Sequence, residues 1–121
     1  MDRILFSDLL LKKYEKDGRG PSGFDCYGLV IEMYRRIGIK VCECPAGEGA
    51  KSIWKPTSLR CSTSKNIVIV AIAPKKDGII THAGIVVKYN QMLHASEKKG
   101  ICIEPLYLYS KFIEGYYEYA G

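Results

Sequence analysis

The sequence has only two histidines, no long hydrophobic run, no concentrated basic stretch and an odd number of cysteines. Each shortage narrows what the chain can do. Apolar runs are brief and 26% of residues are charged, which argues against both a membrane span and disorder. The net charge is +5, but it is spread over pairs such as Lys12-Lys13, Arg35-Arg36, Lys75-Lys76 and Lys98-Lys99. A nucleic-acid reader concentrates such charge in a stripe beside a recognisable motif, so no nucleic-acid partner is expected. Five cysteines, Cys26, Cys42, Cys44, Cys61 and Cys102, cannot all pair within the chain. Cys42-Glu43-Cys44 lacks the paired spacing of a zinc cluster, and ordinary reduced thiols are expected there.

What is present fits one compact unit. At 121 residues and 47% hydrophobic, the chain can bury one core and is too short for two ordinary domains. A single domain over residues 1–121 is therefore expected. The start, MDRILFSDLLLKKYEKDG, has neither the continuous apolar stretch nor the small-residue cleavage site of a secretion signal, so the expected location is cytoplasmic as synthesised. Ile4, Leu5, Asp8, Leu9 and Lys12 fall near one stripe, which predicts a first amphipathic helix.

The segment KDGRGPSG concentrates turn formers and predicts a loop that delivers Phe24-Asp25-Cys26. From Cys26 onward, Leu29, Val30, Met33 and Ile37 follow helical spacing, and Gly38 supplies a stop. Residues 41–64 have little period and predict an irregular excursion, with a short helical turn over residues 49–54. Four β-branched segments, 66–74, 78–89, 91–96 and 100–106, then predict adjacent strands. The tyrosine-rich tail predicts a turn of helix over residues 109–113 and a closing strand. Helices set apart from a mainly antiparallel sheet make the fold class α+β.

Cys26 sits where a helix begins, and the unpaired N–H groups and dipole of a helix N-terminus favour a thiolate. Any base for it must be His82 or His94. With Lys88-Tyr89-Asn90 as a three-residue link, Val87 opposes Gln91, Gly84 opposes His94 and His82 opposes Ser96. The two imidazoles then share a sheet face as diagonal neighbours, with Cα atoms roughly 7–8 Å apart. That suits a base and the group that fixes its tautomer.

GFDCYGLVIEMYRRIGI resembles the Asp-Cys-Ser-Gly-Phe/Leu-Val signature of the NlpC/P60 cysteine peptidases, THAGIVV their His-Val-Gly-Ile strand, and MLHAS their Ile-His-Ala strand. The resemblance implies a papain-like fold in which Cys26 attacks an amide carbonyl, His82 takes the thiol proton and His94 orients His82. It implies a peptidoglycan stem-peptide substrate, often cut at a γ-D-glutamyl to diamino-acid bond, and no metal or organic cofactor. Tyr14 matches an aromatic position beside the family's active site. Asp25 is expected to cap the helix and reach bound substrate, and Tyr27 to lie among the substrate-binding residues. Tyr27 stands where the family commonly has Ser, and KNIVIV replaces its usual Pro-Gly-Asp-Leu-Val. The bulky residue after the cysteine is similar to tail-associated phage members, which implies action at the cell wall or in a phage tail, with tail or wall-assembly partners. A non-catalytic peptide-binding component and a thiol acyltransferase are the alternatives on the same fold.

Overall fold

The computed structural model describes residues 6–43, 58–60, 67–88 and 90–119, with residues 58–60 known by their backbone alone. Two-residue strands β1 (Lys13–Tyr14) and β2 (Gly23–Phe24) pair in parallel, and the helix α1 (Cys26–Arg35) follows at once. The remaining strands are β3 (Ser58–Arg60), β4 (Ile69–Ile72), β5 (His82–Val87), β6 (Gln91–Ser96), β7 (Gly100–Pro105) and β8 (Ile113–Tyr119). They form one antiparallel sheet in the order β3-β8-β4-β5-β6-β7. The fold is α+β, as the sequence pattern predicts. Among the described residues, no helix is long and apolar enough to cross a membrane.

Strand alternation divides the sheet into two faces. Ile69, Ala71, Ala83, Ile85, Leu93, Ala95 and Ile101 pack with Leu29, Val30, Met33 and Tyr34 of α1 in the main core. Val70, Ile72 and Met92 lie on the other face, covered by Val86, Tyr109, Ile113 and Tyr116. Tyr34 ties helix to sheet, because its hydroxyl donates to Ile67 O at 2.7 Å and accepts from Tyr119 N at 2.9 Å.

The helix begins because Asp25 is an N-cap. Its extended backbone turns the chain, and its carboxylate accepts from Gly28 N at 2.7 Å, satisfying one orphan amide of the first turn. It ends as predicted near Gly38, where Gly38 N donates to Arg35 O and Ile39 N to Tyr34 O. Close approach fixes Gly28. A Cβ there would lie 2.1 Å from Gly18 O, a backbone atom that cannot swing aside. Gly28→Ala is expected to force helix and loop apart and to lower stability by about 2 kcal/mol or more, read as an earlier denaturant midpoint with unchanged slope.

The predicted first helix is a correction. Among the described residues, only a 3₁₀ turn forms there, over Ser7–Leu11, with Leu9 buried and Leu11 almost fully exposed; Ile4 and Leu5 lie outside the described residues. The backbone leaves the helical path because β7 recruits it: Ile101 N donates to Lys12 O at 3.2 Å. The tail turn also lies earlier than predicted, as a 3₁₀ turn over Leu106–Tyr109. Residues 44–57 and 61–64 of the predicted irregular excursion, including the turn at 49–54, fall outside the described residues, while β3 shows a strand at 58–60.

Candidate active site

The hairpin register is the one that a three-residue link dictates: Val87 opposes Gln91, Val86 opposes Met92 and Ile85 opposes Leu93. Beyond that point the ladder between β5 and β6 stops, while β6 stays paired with β7 as far as Ser96 opposite Gly100. His82, at the start of β5, and His94 share the face of Met92 and Val86. Their rings meet edge to face with centroids 5.1 Å apart, and His82 Nε2 lies 2.8 Å from His94 Nδ1. Gly84 makes the meeting possible. A Cβ there would come within 3.0 Å of Met92 Sδ and 3.3 Å of His94 Cβ.

The helix packs on the opposite face of the sheet from the histidines. It could not do otherwise, because its apolar stripe needs the aliphatic face of Ala83, Ile85, Leu93 and Ala95. Cys26 instead comes to the histidines at the rim. It occupies the first helical position and shares a cavity of about 330 Å³ with His82, His94, Tyr14, Thr81 and Tyr109, floored by the turn from Ser96 to Lys98. That size suits a small ligand or a short peptide segment. A concavity of similar volume, lined by Asp8, Arg19, Glu32 and Arg36 among others, holds charges already engaged in ion pairs and, among the described residues, no cysteine, serine or threonine.

The histidines belong to a longer hydrogen-bonded array. His94 Nε2 lies 2.7 Å from Glu104 Oε1, Tyr109 donates to that same oxygen at 2.6 Å, and Lys99 Nζ donates to Glu104 Oε2 at 2.8 Å. These donors, led by Lys99 and Tyr109, hold the Glu104 carboxyl down at about 2, so it is a carboxylate that can only accept. His94 must then carry its proton on Nε2. Burial lowers the pKa of His94, keeping it neutral, and its Nδ1 therefore accepts from His82 Nε2–H. The remaining nitrogen, His82 Nδ1, is left with an open lone pair. Burial first, and then His94, push His82 down to about 4, so it is an uncharged base at neutral pH.

Cys26 is a thiol at rest rather than the thiolate expected from its helix position. Burial is the main cause, with the Asp25 charge second, and together they push it up to about 11 against the backbone N–H groups of Ala83, Tyr27 and Cys26 itself. Partial charges at a helix start do not offset the loss of water around a buried anion. Among the described residues, no hydrogen bond joins the thiol to His82; catalytic contacts commonly tighten only when substrate is bound. Alkylation of Cys26 by iodoacetamide is therefore expected to accelerate about tenfold per pH unit through the neutral and mildly alkaline range. Peptide mapping at graded pH checks this, and a plateau already reached at neutral pH would contradict it.

The other expected site residues divide. Tyr14 lines the cavity, and burial with nearby Glu97 raises its phenol pKa. Asp25 and Tyr27 do not line it. Asp25 is buried, caps α1 and pairs with Arg19 at 2.8 Å. Tyr27 is buried beneath the Arg19 guanidinium, 5.6 Å from its ring, and donates its hydroxyl to Cys42 O. Sequence reasoning missed Glu104, Lys99 and Tyr109. The signal was available: in β7, Cys102 and Glu104 alternate with Ile101 and Ile103, which puts both polar residues on the histidine face.

Comparison with known proteins gives one family and one fold. A family model described as NlpC/P60 matches residues 11–117. Against curated proteins, no match reaches significance. Among solved structures, NlpC2 from Trichomonas vaginalis superposes with a TM-score of 0.72 at 22% identity, over 92% of this chain and 42% of that protein. An NLP/P60-family lipoprotein-like protein from Staphylococcus aureus gives 0.66 at 18% identity, over 94% and 38%. The NlpC/p60 domain of the peptidoglycan hydrolase SagA gives 0.60 at 20% identity, over 90% and 87%. The chain thus spans less than half the length of the first two, and at these identities the likeness is one of fold.

Proposed function

The chain belongs to the NlpC/P60 family, and on that premise we propose that it is a cysteine peptidase acting on the peptide stems of peptidoglycan, cutting the γ-D-glutamyl to diamino-acid bond. The observation that carries this reading is the contact between His82 Nε2 and His94 Nδ1, 2.8 Å long, in the cavity that Cys26 also lines. A hydrogen-bond chain ending on a carboxylate leaves one imidazole nitrogen free in that cavity, and of the cysteines among the described residues Cys26 alone begins a helix.

In the proposed mechanism, Cys26 Sγ attacks the amide carbonyl while His82 Nδ1 takes the thiol proton. The carbonyl oxygen becomes an oxyanion, stabilised by the Cys26 backbone N–H at the helix start. The imidazolium then gives its proton to the leaving amine, and a thioester remains on Cys26. Water, deprotonated by the same nitrogen, attacks the thioester, releases the acid and restores the thiol. His94 holds the His82 ring in one tautomer and one orientation. Glu104 does the same for His94, and its charge favours the imidazolium that forms in each half-reaction. Tyr14, on the cavity wall, supplies a flat apolar surface and a hydroxyl for the peptide. A thiol initially protonated and a base initially neutral fit this sequence, because the proton is transferred during attack rather than before it.

Release of a new primary amine from a purified γ-D-glutamyl-containing stem peptide tests the proposal. The amine must appear with wild type and not with a variant lacking the Cys26 sulfur.

A further inference from the structure

Cys102 lies beside the array and takes no part in the proposed chemistry. It is directly opposite His94 across the β6–β7 ladder, its thiol is free, and its Sγ is 3.6 Å from His94 Nε2. Two positions along the same strand and on the same face is Glu104, whose Oε1 is 2.7 Å from that nitrogen. The three ligand atoms all lie within 4.8 Å of one another.

We propose that Cys102, His94 and Glu104 form a binding site for zinc, and that its occupation switches the peptidase off. One thiolate, one imidazole and one carboxylate are a donor set that zinc accepts, with the fourth position left to water. Bonds of ordinary length in a tetrahedral site put ligand atoms roughly 3.3–3.6 Å apart. The sulfur-to-nitrogen distance is already there, and the nitrogen-to-oxygen distance needs to widen only by the difference between a shared proton and a shared metal. Glu104 Oε1 keeps its second lone pair for Tyr109.

The inhibitory effect follows from proton bookkeeping in the array. Zinc needs the lone pair of His94 Nε2, so the proton there moves to His94 Nδ1. That nitrogen becomes the donor to His82 Nε2, whose own proton must move to His82 Nδ1. The nitrogen that takes the thiol proton from Cys26 is then occupied. The only proton lost to solvent is the one from the Cys102 thiol, and no bond to Cys26 is made or broken. The inhibition rests on the peptidase reading above; the metal site does not.

The experiment separates the two. The reduced, metal-free Cys26→Ala protein is titrated with cobalt(II), which reports thiolate coordination by a near-ultraviolet charge-transfer band, and then with zinc to displace it. The band is expected in Cys26→Ala and expected to be lost when Cys102→Ser is added, with Cys102→Ala as a second version should the serine protein melt early. In the proteins that retain Cys26, zinc is expected to inhibit wild type and to be at least about tenfold less potent against Cys102→Ser. A band unchanged by the loss of Cys102, or equal zinc sensitivity with and without it, overturns the site. A Cys102-dependent band in a protein whose wild type never cleaves peptide supports the site and removes the peptidase reading instead.

Discussion

Cys26→Ala is expected to reduce cleavage of a γ-D-glutamyl stem peptide to background while leaving the unfolding transition close to that of wild type. The two outcomes have separate causes. Without the sulfur no thioester can form at this position, and among the described residues no other cysteine lines the cavity. Cys26 sits half-buried at the first position of α1, where the cap is the Asp25 carboxylate on Gly28 N and does not involve the thiol. Alanine is the best helix former, and although Cys26 packs against the edge of the main core, the change removes a single sulfur atom at the wall of the cavity it lines, so the loss of stability is small beside the loss of the nucleophile. Loss of activity accompanied by an early melt would mean that the sulfur is structural.

The second large effect is at His82. Its replacement by alanine removes the base and the acid of both half-reactions, and kcat/KM is expected to fall by about 10²–10⁴-fold, the usual worth of general acid–base catalysis. His94→Gln is expected to be much milder. A glutamine carbonyl can accept from His82 Nε2–H, and its amide can donate to Glu104, so both contacts now made by His94 keep their direction. The pattern matters more than either number. If His94→Gln falls as far as His82→Ala, then His94 rather than His82 handles the proton. Steady-state kinetics on the three proteins at one pH decides between them, and a matching KM across the set would place the effect in the chemical steps.

The hairpin was legible because strand geometry has a period of two and a three-residue link leaves only one register. From that parity alone His82 and His94 fall on one face, and the structure pairs Val87 with Gln91 as required. Helix α1 was legible for a similar reason, since its apolar spacing and its Asp25 cap agree with each other. The same parity carried one hairpin further would have found Glu104, because Ser96 opposes Gly100 and Met92 opposes Glu104. The first helix failed where tertiary pairing overrode a local pattern: the backbone of Lys12 is held by Ile101, a residue almost ninety positions away in sequence. Which sheet face the helix covers, and the protonation of Cys26, were illegible because both depend on how deeply the packed core buries the helix start. Asp25 caps the helix as its residue type predicts, but the substrate contacts expected of Asp25 and Tyr27 were not legible in the sequence, because what decides where both side chains turn is Arg19, which pairs with one and lies over the ring of the other.

Mass spectrometry of a purified stem peptide incubated with the wild-type protein, with and without an added primary amine, tests the central claim most directly. The account predicts two fragments whose masses sum to that of the peptide plus one water, cut on the carboxyl side of the γ-linked D-glutamate, in amounts that exceed the protein many times over. Peptide that binds the protein but is recovered intact after long incubation, with no amine-linked product, would contradict it and leave a peptide-binding component in its place.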